Sequence, residues 1–106
     1  MSNSAIAKLQ DWYRQQCDEE WEHYYGINIS SCDNPGWWVK IDLACTSLSG
    51  CKFPEVKVGI DEDGHPHAAE WLRCYVFNNK WQGTGDPSKL EEIIDTFLAW
   101  NGNCRN

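Results

Sequence analysis

Trp37-Trp38-Val39-Lys40-Ile41-Asp42-Leu43 is the stretch on which the fold turns, because apolar and polar side chains alternate along it. Successive side chains of an extended strand point to opposite faces. Trp37, Val39, Ile41 and Leu43 therefore belong to one side of a sheet, and Trp38, Lys40 and Asp42 to the other. Upstream, Asn34-Pro35-Gly36 reads as a turn, with Pro35 supplying a fixed φ and Gly36 a positive one. Before that turn Ile27 and Ile29 alternate with Asn28 and Ser30, which predicts a preceding strand. Downstream, Val56, Val58 and Ile60 form a third row, ended by Asp63-Gly64. Residues 70–77 are apolar on both faces, and Asn78-Asn79 suits a two-residue hairpin loop. Such a loop sets Trp81 beside Val76 and Gln82 beside Tyr75, and it gathers Leu72, Cys74, Val76 and Trp81 on one face.

Outside this region the period changes to that of a helix. Over residues 4–17, Ile6, Leu9, Tyr13 and Cys17 recur on one stripe, while Lys8, Asp11 and Arg14 lie off it. Trp21 and Tyr24 roughly continue the stripe as far as Gly26, with Asp18 available to cap a separate short helix. Over residues 87–101, Leu90, Ile93, Ile94, Phe97 and Leu98 make an apolar face. Pro87 suits the first helical position, Ser88 with Glu91 offers a capping box, and Gly102 a stop. The expectation is one α+β domain over residues 1–106. Its sheet is a four- to five-stranded antiparallel meander, with the N-terminal and C-terminal helices packed on one face.

If the helices cover the Val/Ile row, the opposite face carries Trp38, Asp42, Lys57, Trp71, Arg73, Tyr75 and Phe77. Aromatics mixed with arginine on an uncovered face make a protein-binding surface. Trp38, Asp42, Arg73 and Tyr75 are the candidate contact residues. The competing reading is that loops 44–54 and 63–69 fold over these rings and hide them.

Seven Trp, four Tyr and three Phe in 106 residues provide a core without a metal or a cross-link, since each such ring buries about 150–250 Å². Sixteen acidic side chains against nine basic ones give a net charge of −7, with no basic run. That balance argues against nucleic acid and against an anionic membrane, and it would steer in a basic protein. The N-terminal stretch Met1-Ser2-Asn3-Ser4-Ala5-Ile6-Ala7-Lys8 lacks the apolar core of a signal peptide, so a cytoplasmic location and six free thiols (Cys17, Cys32, Cys45, Cys51, Cys74, Cys104) are expected.

No catalytic pattern is complete. The cysteines include no C-x₂-C pair, and His65-Pro66-His67 reads as a polar turn, so neither zinc nor a cofactor is expected. Asp61-Glu62-Asp63-Gly64 lacks the alternating ligands of a calcium loop. A thiol enzyme, sulfurtransferase-like, would need a cysteine activated beside His23, His65 or His67. The small-residue loop from Cys45 to Cys51 is its best candidate. Asp18, Glu19, Glu20 and Glu22 beside His23 read as a water-facing run, and Gly83-Thr84-Gly85 lacks the lysine of a phosphate loop.

Several segments taken together have a known look. Asp11-Trp12-Tyr13, Cys17-Asp18, Glu20-Trp21-Glu22-His23 and Tyr25-Gly26-Ile27 come first. Asp33-Asn34-Pro35-Gly36-Trp37, Lys40-Ile41-Asp42-Leu43, Glu70-Trp71 and Gly83-x-Gly85 before Leu90-Glu91-Glu92-Ile93 then follow in order. The set resembles the immunity protein 53 family of bacterial polymorphic toxin systems over roughly residues 9–100. Trp38 and the cysteine-rich loop 45–51 depart from that pattern. The resemblance implies a non-enzymatic protein that binds and blocks a cognate toxin, for which a basic nuclease would suit the acidic charge. It brings no catalytic residues, and Trp12, Trp21 and Trp37 read as structural. A homodimer pairing through the aromatic face is the remaining alternative.

Overall fold

A computed structural model describes residues 4–33 and 35–104. Residues 1–3, at the head of the N-terminal stretch, and Asn34 of the expected turn lie outside that range, as do residues 105 and 106. The elements run α1 (Ala5–Gln16), α2 (Trp21–Tyr24), β1 (Ile27–Cys32), β2 (Gly36–Asp42), β3 (Val56–Val58), β4 (Leu72–Phe77), β5 (Lys80–Gly85) and α3 (Leu90–Asn103). The five strands form one antiparallel sheet, with α1 and α3 packed on each other and α3 against the sheet. The α+β class and the two-helix cover are as expected. The strand order is β1-β2-β5-β4-β3, so the sheet is two short meanders joined by the β2–β5 pair. The 44–54 connection carries the chain across to the far edge, and β4 and β5 then return toward β2.

The alternating rows fall as their period requires. Val39, Ile41 and Leu43 from β2 and the residue after it, with Leu72, Cys74 and Trp81, are buried beneath Ile93, Ile94 and Phe97 of α3. Asn78 and Asn79 both take positive φ, the condition for a tight two-residue hairpin. The register that follows is Val76 opposite Trp81 and Tyr75 opposite Gln82. Trp81 is wholly buried and meets Phe53 and Phe97 edge-on, at centroid distances of 5.9 and 5.2 Å. Gly83 stands next on the same face, where a Cβ would come within 2.5 Å of an Ile93 methyl. Only glycine lets α3 sit this close to β5.

Four local expectations are corrected, and one open alternative is resolved. In α1 the buried stripe is Ala5, Leu9 and Trp12, while Ile6 and Tyr13 are exposed. Two adjacent stripes fit the same helical period, and the larger Trp12 ring claims the core by packing edge-on to Trp21 and Phe97. Of the two readings after Cys17, the continuous helix is set aside and the separate short helix is the one formed. Asp18 accepts hydrogen bonds from the N–H groups of Glu20 and Trp21 and starts the separate α2. Gly36 does not take a positive φ. It opens β2, and a Cβ there would collide with the Gly85 carbonyl oxygen. α3 begins at Leu90 rather than 87 and continues through Gly102. Asp86 holds the preceding turn instead, accepting from Ser88 N–H and Oγ–H and from Trp71 N–H.

The fourth correction concerns sulfur. Cys51 and Cys104 form a disulfide, so the six thiols are not all free. The partners are 53 positions apart in sequence. Loop 44–54 folds into the core on the helix side, with Leu48 fully buried and Phe53 against Trp100, and this brings Cys51 to the end of α3. Nothing in the spacing of the cysteines announces that meeting.

Candidate functional site

The face turned away from the helices is built by the registers of three central strands. One row across it is Lys40, Gln82 and Tyr75, and the next is Trp38, Thr84 and Arg73, extended by Lys57 of β3. A third is Asp42, Lys80 and Phe77. At the centre lies Gln82, only 7% exposed. Its Oε1 accepts from Trp38 Nε1–H at 3.2 Å and from the Tyr75 hydroxyl at 3.3 Å. The two rings are thereby held on either side of one buried amide. Each also carries a cation: Lys40 Nζ stands 4.7 Å from the Trp38 ring centroid, and the Arg73 guanidinium 4.6 Å from that of Tyr75. Such contacts are worth about 0.5–1 kcal/mol where solvent reaches them.

All four candidate residues therefore share this face. Trp38, Arg73 and Tyr75 are neighbours around Gln82, while Asp42 lies one row away. Trp38 is 37% exposed and Phe77 61%, so the rings are not sealed in. Arg73 Nε–H donates to Glu55 Oε2 at 2.8 Å. Asp42 is engaged within the fold, accepting from Lys80 Nζ–H at 2.7 Å and from Gly26 N–H at 2.9 Å. Trp71, expected on the open face, is buried. The segment after β3 folds back on itself, with Ile60 bridged to Pro66, and covers that corner. Between it and the sheet lies a cleft of about 240 Å³ lined by Trp38, Trp71, Arg73, Tyr75 and Thr84. Loop 44–54 does not cover the face, because it belongs to the core on the other side.

Charge is unevenly spread. Lys40, Lys57, Arg73 and Lys80 stand on this face, four of the chain's nine basic residues, with Asp42 and Glu55 bound to them. The acids behind the net charge of −7 are mostly elsewhere, in the 18–22 segment, the 61–63 turn and α3. Gln82, Lys80 and Glu55 were missed as members of the cluster. The hairpin parity had already set Gln82 beside Tyr75, but only the β2–β5 pairing brings it under Trp38.

The other constellations resolve into structure. Asp61, Asp63 and His65 place ligand-type atoms within 4.8 Å of one another. Asp61 Oδ1 already accepts from the N–H groups of Asp63 and His65, the pattern of a self-capped turn, and these bonds keep its carboxyl below the usual range. Cys17, Cys32, Cys45 and Cys74 are free thiols, and among the described residues none hydrogen-bonds an imidazole. Burial pushes the Cys74 thiol up to about 12, the opposite of activation. Among the described residues no helix is long and apolar enough to cross a membrane.

The sequence profile of the family described as Immunity protein 53 matches residues 6–102. The chain belongs to the immunity protein 53 family. Comparison with curated proteins and with solved structures gave no match. Membership in the immunity protein 53 family gives toxin immunity as the general function and a cognate toxin as the kind of partner, in a family that is generally non-enzymatic. The face around Gln82 is a surface of aromatic rings and paired cations, without a nucleophile–base pair among its described contacts.

Proposed function

We propose that this protein neutralises a cognate toxin domain of a bacterial polymorphic toxin system by binding it in the cytoplasm of the producing cell, through the sheet face centred on Gln82. The match to the immunity protein 53 family over nearly the whole chain carries the reading. The surface is chosen on physical grounds. Trp38 and Tyr75 are preorganised on one buried amide, so little side-chain freedom is lost on docking. Aromatic residues and arginine near the centre of an interface tend to dominate its energy. Trp38, Arg73 and Tyr75 are the proposed direct contacts, and Asp42 fixes Lys80 at their edge.

The net charge favours a basic toxin such as a nuclease during approach. The local balance of the sheet face is positive, so this steering acts through the acids elsewhere on the chain, and the toxin patch that docks on the face is itself not basic. Co-purification with the product of the adjacent gene, at low and at high salt, tests the proposal. Stable association that weakens with salt is expected. Association indifferent to salt removes the electrostatic steering, and no association with any neighbouring gene product removes the toxin reading. Repeating the experiment with reductant tells whether the Cys51–Cys104 bond matters to binding in a reducing cytoplasm.

A further inference from the structure

The apolar surface that the fold leaves uncovered is concentrated beside the sheet face rather than on it. Where α1 runs past β1, Ile6, Tyr13, Tyr25 and Ile29 line a groove of about 490 Å³. They are four of the eight large apolar side chains left exposed among the described residues. Isolated exposed apolar residues are ordinary, but a contiguous group beside a groove is not.

β1 is also an edge of the sheet, paired only with β2. Asp42 N–H donates to the Gly26 carbonyl, which identifies Gly26–Asp42 as a hydrogen-bonded pair of this ladder. Antiparallel ladders alternate, so with Ile27 opposite Ile41 the N–H and C=O groups of Ile27, Ile29 and Ser31 point away from β2. The side chains of Ile27 and Ile29 line the groove. The two edges of the sheet differ. β3 is three residues long, has Lys57 at its centre and follows Pro54, all features that blunt an edge. β1 is six residues long and has neither charge nor proline. Outward main-chain groups beside an apolar groove are what strand addition uses, with the main chain giving affinity and alternate side chains giving specificity.

On the helix side the rim of the groove is acidic, while Lys40 and Lys80 stand on the opposite side of the sheet. Tyr25 also lines the neighbouring depression, together with Asp18 and Glu20. Asp18, Glu19 and Glu20 are exposed, and the N–H groups of Trp21 and Glu20 keep the Asp18 carboxyl below its ordinary pKa. A second copy fits poorly. Antiparallel pairing of β1 with itself sets the residues after Cys32, beginning with the exposed Asp33, against this acidic rim.

We propose that the α1–β1 groove and the β1 edge take an extended segment of a partner protein, added as a further strand. Its alternate side chains are apolar, and it carries Lys or Arg at the end lying by Tyr25. The inference stands apart from the toxin reading.

The probe is a short synthetic peptide with valine at alternate positions and lysines at one end, titrated into the isotope-labelled protein. A copy with glutamate in place of lysine is the control. Binding of the lysine peptide should shift the amide resonances of Ile27, Ile29 and Ser31 and slow their exchange with solvent. The glutamate peptide should bind at least about tenfold more weakly. Ser31→Pro removes an outward donor without a ladder bond and should loosen the lysine peptide by about tenfold while the rest of the spectrum is retained. Should that variant lose its fold, Ile6→Asp on the exposed flank of α1 provides the same test of the groove. Shifts confined to residues 18–24, with affinity unchanged in both variants, would mean surface charge attraction alone and overturn the proposal. So would silence toward both peptides, or self-association of the protein through β1 in sedimentation. Because the probe is synthetic, these outcomes leave the co-purification result standing on its own.

Discussion

The two faces of the sheet are made by the same strands and differ by one residue of register, yet they do opposite things. On β5, Trp81 and Gly83 point toward α3, while Gln82 and Thr84 point to the open side. The inner residues are packed against rings and methyl groups. On the outer side Gln82 anchors the Trp38 and Tyr75 rings through hydrogen bonds, and Thr84 donates to the Arg73 carbonyl. Buried rings on the inner face therefore contribute to stability, whereas half-exposed rings on the outer face are available to a partner. The contrast is experimentally separable, because removal of an inner ring should unfold the protein and removal of an outer ring should not.

The most severe break in that comparison is Trp81→Ala. With the ring fully buried between Phe53 and Phe97, a loss of about 3–5 kcal/mol is expected in urea unfolding. Reduction of Cys51–Cys104, or Cys51→Ser, comes next. It frees a loop spanning 53 positions on the helix side and should cost roughly 2–4 kcal/mol, read as a lower melting temperature with reductant. On the outer face, Trp38→Ala and Tyr75→Ala should each weaken toxin binding by about 1–3 kcal/mol in calorimetry. The fold should survive. If either variant unfolds, that ring belongs to the core and the two faces are not distinct.

Asp86 sharpens the comparison at the seam where β5 leaves the sheet. Its carboxylate is held well below the usual range, first by the Ser88 hydroxyl, then by the N–H groups of Ser88 and Trp71 and by the nearby Lys89 charge, against the opposing effect of burial. A depressed carboxyl stabilises the fold above its ordinary pKa, and that contribution is lost as pH falls through the lowered folded value. Asp86→Asn should cost about 1 kcal/mol at neutral pH. Its acid-unfolding curve should converge with that of the parent at low pH. Smallest of all, Lys40→Ala should change stability by no more than about 0.5–1 kcal/mol, since its contact with Trp38 is open to solvent.

Much of this arrangement was legible from neighbouring residues alone. The alternation from Trp37 to Leu43, the two asparagines at 78 and 79, and Asp18 before Trp21 each specify backbone geometry within a few residues. The structure follows them into a strand, a hairpin register and a cap. The sharing of one face by Trp38, Arg73 and Tyr75 was legible for the same reason, because parity along a strand survives whatever the strand order.

What the tertiary structure decided are the facts that depend on residues far apart meeting. The insertion of β5 between β2 and β4 brings Gln82 beneath Trp38. The packing of Trp12 on Phe97 rotates α1 away from the stripe through Ile6 and Tyr13, leaving those two side chains beside an unpaired edge. The folding of loop 44–54 into the core carries Cys51 to Cys104, and the turn after β3 buries Trp71. Periodicity reports which side of its own element a residue occupies, because that follows from backbone geometry. Which element lies opposite depends on how whole surfaces fit together, and a local pattern carries no record of that.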